Sequence, residues 1–176
     1  MESIRGEYEK HGAREFYERH GADYRNPHEP IIGPCIREAI SRWKLDLSQV
    51  LDLAAGSGEA TVALRELGAG TVYGVDPYTA EAYRLRTGQE AEKLTFADIA
   101  AGGLSSRQYS LIVCSFALHL CEASRLAGLL YELGQTGKVL LVLTPHKRPE
   151  LKPEWGWDLS GEFVLERVRT RVYRKR

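Results

Sequence analysis

Long apolar runs are missing from this chain. No stretch stays apolar far enough to span a membrane. The amino-terminal MESIRGEYEKHG is charged and lacks the apolar core of a signal peptide, so nothing in it directs export. An excess of one charge is missing too. The 24 Lys and Arg residues balance 24 Asp and Glu, which argues against indiscriminate nucleic-acid binding but leaves room for a local basic patch. Cysteine is scarce. Cys35, Cys114 and Cys121 are scattered, odd in number and form no CxxC pair, so reduced thiols in a cytoplasmic protein are expected, and no zinc site. The five histidines show no ligand spacing either, and no metal is expected.

What is present is a chain of 176 residues, enough for one domain with a real core. A helical amino-terminal segment, 1–45, precedes a sheet core, 46–176. Helix is expected over 7–20, broken at Gly12 and stopped at Gly21. The turn-rich ADYRNPHEP follows, and helix resumes over 30–43 with Ile32, Ile36, Ile40 and Trp43 at helical spacing. Short apolar runs at 50–53, 71–75, 93–96, 109–115 and 138–143 read as strands. Helical stretches lie between most of them. The proline-rich 144–161 reads as an irregular loop with Trp155 and Trp157, and 162–176 alternates as one or two final strands. Strands alternating with helices predict an α/β fold, a doubly wound and mostly parallel sheet with helices on both faces and compact C-terminal strands.

The densest signal is QVLDLAAGSGEAT, residues 49–61. A buried strand ends in an aspartate and small residues, two glycines permit a sharp turn, and a helix begins. This is a nucleotide-type site at the carboxyl end of a strand. Asp76 ends the second strand about twenty residues past the glycines, where an acid accepts hydrogen bonds from ribose hydroxyls. That feature suits NAD and S-adenosylmethionine alike. Three others favour the second: Asp52 before the glycines, no third glycine after Gly58, and Asp98 beyond the third strand. The Asp98 carboxylate suits an adenine amino group, and the Ile99 N–H suits a ring nitrogen.

With these residues in place the sequence resembles the class I S-adenosylmethionine-dependent methyltransferases. LDLAAGSGEAT, VYGVDPY, LTFADI and YSLIVCSFALHL are similar to four of the family's motifs, in order, over residues 50–143. The resemblance implies a Rossmann-like fold and S-adenosylmethionine as cofactor. It places Gly56 and Gly58 along the cofactor, with Asp52 and Ala54 beside its methionine end. Ala54 stands where the family usually has a glycine. Asp76 would hold the ribose, with Pro77 and Tyr78 at the adenine, Asp98 and Ile99 at its edge, and Ser115 and Phe116 beside the sulfonium. Phe16, Tyr17 and Tyr24 resemble tyrosines that fold over the cofactor in small members.

The acceptor is less defined. His119, after the fourth strand, is a candidate base or a structural histidine. His28, in NPHEP, is a second candidate or a turn stabiliser, and Tyr24 a third or a cofactor contact. Trp155 and Trp157 are acceptor stackers or core plugs. Ser115-Phe116 stands where metal-dependent members carry an acid, and the Asn-Pro-Pro-aromatic motif of base N-methylation is absent. Arg167, Arg169 and Arg171 fall on one face of a final strand, a solvated edge or an RNA contact. The expected activity is metal-independent methyl transfer to a small molecule. The alternatives are an RNA or protein acceptor, a non-catalytic cofactor-binding partner, or an NAD enzyme. No membrane association is expected, and the chain is read as a monomer or homodimer.

Overall fold

The computed structural model describes residues 12, 15, 16 and 18–176. Most of the expected 7–20 helix, and Tyr17 with it, lies outside the described residues. Among the described residues beyond 20, five helices and six strands follow. They are α1 (Glu29–Trp43), β1 (Gln49–Leu53), α2 (Glu59–Glu66), β2 (Thr71–Val75), α3 (Ala80–Thr87), α4 (Phe96–Ala100), β3 (Leu111–Ser115), α5 (Ala123–Thr136), β4 (Val139–Thr144), β5 (Trp157–Leu165) and β6 (Val168–Lys175). Single 3-10 turns stand at Gly21–Asp23, Leu118–Leu120 and Pro153–Trp155.

The strands form one sheet in the order β2-β1-β3-β4-β6-β5. The first four are parallel, whereas β6 runs antiparallel to β4 and β5 antiparallel to β6. β3 is buried at every position and β1 at all but its first, as parallel strands covered on both sides require. Alternate side chains serve opposite layers. Leu51, Leu53, Ile112 and Cys114 pack with the α5 stripe of Leu126, Leu129, Leu130 and Leu133. Val50, Leu111, Val113 and Leu141 pack with Ile32 and Ile36 of α1 and Leu64 of α2. The doubly wound reading is thus correct, and the strand order reverses between β1 and β3. In such sheets ligands sit at that reversal, beyond the carboxyl ends.

Two expectations fail. The third strand expected at 93–96 is reduced to one isolated bridge between Val75 and Glu92, and helix α4 starts at Phe96. Thr95 caps that helix. Its hydroxyl accepts from the Asp98 N–H while the Asp98 carboxylate accepts from the Thr95 N–H, a capping box that outcompetes a short strand. The expected 144–161 loop also ends early. β5 begins at Trp157, whose buried ring donates from Nε1 to the Leu130 carbonyl at 2.9 Å, making this tryptophan a core plug. The hairpin turn then falls on Glu166 and Arg167, both with positive φ, so Arg167 leaves the strand face shared by Arg169 and Arg171.

Candidate active site

A cavity of about 410 Å³ opens at the carboxyl ends of β1 and β3. Leu53, Ala54, Ala55 and Gly56 form its floor. Asp76, Pro77 and Tyr78 after β2 form one wall, and Leu94, Thr95, Phe96, Ala97 and Ile99 around the start of α4 another. Ser115 at the end of β3, with Phe116 and Ala117 after it, closes a third side, with Leu120, Glu122 and Arg125 beyond them. Tyr24 and Asn26 bring the amino-terminal segment over the top.

The turn that carries the floor into α2 has three left-handed residues, Ala54 (φ 55°), Gly56 (57°) and Gly58 (88°). Gly58 does not line the cavity. It caps α2, and a Cβ there would stand 2.5 Å from Thr87 Cγ2. Asp76 fastens the floor to the wall. One carboxylate oxygen accepts from the Gly56 N–H (3.0 Å), and the other from the N–H groups of Tyr78 (2.9 Å) and Thr79 (3.0 Å). Those three bonds leave one of about four acceptor positions on Asp76 unspent.

Beneath the floor, Asp52 is fully buried. It accepts from the Thr61 hydroxyl at 2.7 Å through one oxygen, and its other oxygen has no partner. Burial first, then the charges of Glu59 and Asp76, push its carboxyl up to about 7, against the Thr61 hydrogen bond. Glu59, also buried, accepts from the Asn26 N–H at 3.0 Å and from the Ser57 hydroxyl. This ties the amino-terminal segment to α2. Gly21 packs onto the Tyr78 carbonyl so closely that a Cβ would meet its oxygen at 2.2 Å. Arg86 of α3 pairs with Glu29 at the start of α1 and lies 3.9 Å from Glu59.

Other sequence candidates lie differently. The Asp98 carboxylate is exposed, engaged with Thr95 and absent from the cavity lining, because the capping box claims it. Ile99 lines the cavity, but its N–H is spent on the Thr95 carbonyl at 3.1 Å and is not offered to a ligand. His28 adjoins the cavity through Phe116, stacking on that ring with centroids 4.5 Å apart and planes 7° from parallel. His119 faces His146, ring centroids 4.6 Å apart. Burial and then His146 push the His119 imidazole down to about 4, and the same causes lower His28. Sequence reading missed Asn26, Glu59 and Thr95. Only Thr95 carried a signal, the spacing to Asp98 that marks a capped helix start.

This floor, wall and acid arrangement agrees with the comparison of families. A profile described as a methyltransferase domain matches residues 50–138. The chain belongs to the methyltransferase domain family. An uncharacterized protein of Schizosaccharomyces pombe is 36% identical to this methyltransferase over 99% of the chain and 92% of its own length. The magnesium protoporphyrin IX methyltransferase of Synechocystis PCC 6803, solved with bound SAM, is 16% identical. It superposes with a TM-score of 0.61 over 98% of this chain and 95% of that one. A putative RNA methyltransferase of Pyrococcus horikoshii is 15% identical, with a TM-score of 0.60 over 86% of each chain. Both likenesses show the same fold.

As a methyltransferase of this family the chain takes its methyl group from S-adenosylmethionine, and the cavity fits that donor. The unspent acceptor position of Asp76 suits a ribose hydroxyl. Leu94, Phe96 and Ile99 offer an apolar slot for a flat base. The charged residues lining the cavity are Glu59, Asp76 and Glu122 against Arg125, a balance that favours a cationic ligand over an anionic one.

Proposed function

We propose that this methyltransferase acts on a small molecule, without a metal ion. The observation that carries this reading is that Arg169, Arg171 and Arg176 are engaged by Glu162, Asp158 and backbone carbonyls and are not offered together to a polyanion. The cavity, covered by Tyr24 and Asn26, falls in the range of about 300–1,000 Å³ typical of small-molecule sites and takes the donor. When bound, the donor supplies a methyl carbon already activated by an adjacent positive sulfur.

The residues then have to align and to exclude water. Asp76 and the Gly56 turn hold the donor's sugar side. Tyr24, tied down through the Asn26–Glu59 hydrogen bond, covers it from solvent. Ser115 and Phe116 stand on the side of the cavity where the methyl group would lie. Such a displacement calls for no Lewis acid, and the residues at the end of β3 are a serine and a phenylalanine instead of a metal-binding acid.

Charge supports a small acceptor over RNA. Arg169 and Arg171 share Glu162, and Arg176 pairs with Asp158, so two of these three positive charges are offset locally. Arg171 is buried and holds the loop after β4 through the Lys147 (3.0 Å) and Pro149 (3.2 Å) carbonyls. Among the described residues no helix is long and apolar enough to cross a membrane. The three free cysteines suit a reducing cytoplasm.

The test is a transfer assay. Protein, methyl-labelled S-adenosylmethionine and fractionated cell extract are combined. Label is expected in a small, solvent-extractable compound. Label in RNase-sensitive or protease-sensitive material would overturn the small-molecule reading.

A further inference from the structure

Asp52 is fully buried and does not line the cavity. Glu59 and Asp76 do line it, and both act on the Asp52 carboxyl from there. Charge in the cavity is therefore felt beneath its floor. We propose that Asp52 is the group by which the site distinguishes the methyl donor from its demethylated product, standing ionised under the donor and protonated under the product. The proposal rests on the reading of the cavity as the donor site.

The acid sits in the middle of the sheet, between Gly74 of β2 and Val113 of β3. Its Oδ2 accepts from the Thr61 hydroxyl at 2.7 Å, and that hydroxyl lies 3.0 Å from the Tyr83 hydroxyl. Its Oδ1 is buried with no partner among the described residues. Tyr83 seals this chain from solvent. Its ring is wholly buried and fills the space where a Cβ would stand at Gly74 (2.3 Å away) or Gly58 (3.2 Å). The neighbours do not steady a charge on Asp52. Glu59 of α2 and Asp76 after β2 repel one. Tyr83 of α3 and Cys114 of β3 face it, and burial first, with the Asp52 charge behind it, pushes both of these groups up. Arg65, one turn on from Thr61, acts on Tyr83 but spends Nη1 on the Thr87 carbonyl at 2.7 Å and Nη2 on Gln89.

Burial and the two acids bring the Asp52 carboxyl up to about 7, so at neutral pH it stands between its two states. The donor and its product differ at one atom. The donor's sulfur is a positive sulfonium, the product's is a neutral thioether, and the ammonium and carboxylate are common to both. A positive charge set beside Glu59 and Asp76 opposes their repulsion of an ionised Asp52. An opposite charge nearby makes a carboxyl release its proton roughly tenfold more readily. When the methyl group leaves for the acceptor, the sulfur keeps the bonding electron pair and loses its charge, and Asp52 takes one proton from solvent. The site therefore prefers the donor more strongly as pH rises toward about 7, because only the cation gains from an ionised Asp52.

The test is calorimetry on the full chain with S-adenosylmethionine and, separately, S-adenosylhomocysteine, in buffers of different ionisation enthalpy. At about pH 6.5 the α-amine of either ligand is protonated, so the difference in proton release reports on the protein. The donor is expected to release about half a proton more than the product. The donor-to-product affinity ratio is expected to rise several-fold between about pH 5.5 and pH 7.5. Both differences should vanish in Asp52→Asn. Thr61→Val removes the hydrogen bond that holds the Asp52 carboxyl down, so it should move the rise to higher pH. Equal proton release by the two ligands, or a difference that survives in Asp52→Asn, overturns the proposal. An unmoved rise in Thr61→Val overturns it equally, which keeps the test decisive if Asp52→Asn fails to fold. Failure of both ligands to bind overturns the donor reading instead.

Discussion

Asp76 carries more than its place at the end of β2 suggests. A carboxylate there was legible from the sequence. That it accepts three backbone N–H groups was not, because those donors belong to two turns that exist only once the chain is folded. Its substitution should therefore act on stability and binding together. Asp76→Ala strands three donors and is expected to cost about 2–4 kcal/mol of folding stability, with donor-product affinity weakened by about 1–3 kcal/mol. Denaturant melts and calorimetry with S-adenosylhomocysteine check the two effects. Asp76→Asn keeps one accepting oxygen but sets an amide N–H against a backbone N–H whichever way it turns, so it should retain more stability than alanine while still losing affinity. The left-handed floor gives a paired expectation. Gly58→Ala meets both a φ of 88° and Thr87 Cγ2 at 2.5 Å, for a loss of about 2–4 kcal/mol. Ala54→Gly relieves a φ of 55° and should be neutral to stabilising by up to about 1 kcal/mol. If both substitutions lowered the melting temperature alike, the strain argument would fail.

At the scale of elements, the four parallel strands were readable because burial on both faces leaves unbroken apolar runs. The misread element is α4. The sequence predicts a strand over 93–96, yet among the described residues one bridge at Glu92 is the sheet's link to this stretch. The deciding signal is four residues long, Thr95 to Asp98, and a local capping box settles what a short apolar run leaves ambiguous. The consequence reaches the site. Asp98 and the Ile99 N–H are consumed by the helix start, whereas Thr95, Phe96 and Ala97 come forward to line the cavity. Thr95→Ala is expected to lose about 1 kcal/mol of stability, the ordinary value of an N-cap, and to weaken S-adenosylhomocysteine binding several-fold by loosening that wall. Asp98→Asn should do less to affinity than Asp76→Asn. Equal losses would return Asp98 to the ligand.

For the whole molecule, the sheet order and the position of the cavity followed from alternation of strands and helices, but the electrostatics did not, since they depend on which groups are buried together. Two of those groups act on stability in opposite directions. Asp52 is pushed up to about 7 in the fold from near 4 unfolded, so between those values the folded chain holds the proton that the unfolded chain has released. Its contribution to stability is therefore greatest below about pH 4 and falls as pH rises to about 7. His119 is pushed down to about 4 from about 6.5, so the unfolded chain holds the extra proton, and its contribution rises with pH over that window. Between about pH 4 and 6.5 the two slopes offset each other. Removing one should expose the other. Asp52→Asn, relative to the parent chain, is expected to gain ~2–4 kcal/mol between pH 4 and pH 8. His119→Gln should show the reverse, a relative loss of ~1–2 kcal/mol over the same rise, smaller because that ring is partly open to solvent screening. Urea melts of the three proteins across this range measure both. If the two variants shifted with pH in the same direction, at least one of these burial arguments would be wrong. A difference that stayed flat for Asp52→Asn would mean that the orphaned oxygen beneath the glycine turn is ionised as readily folded as unfolded.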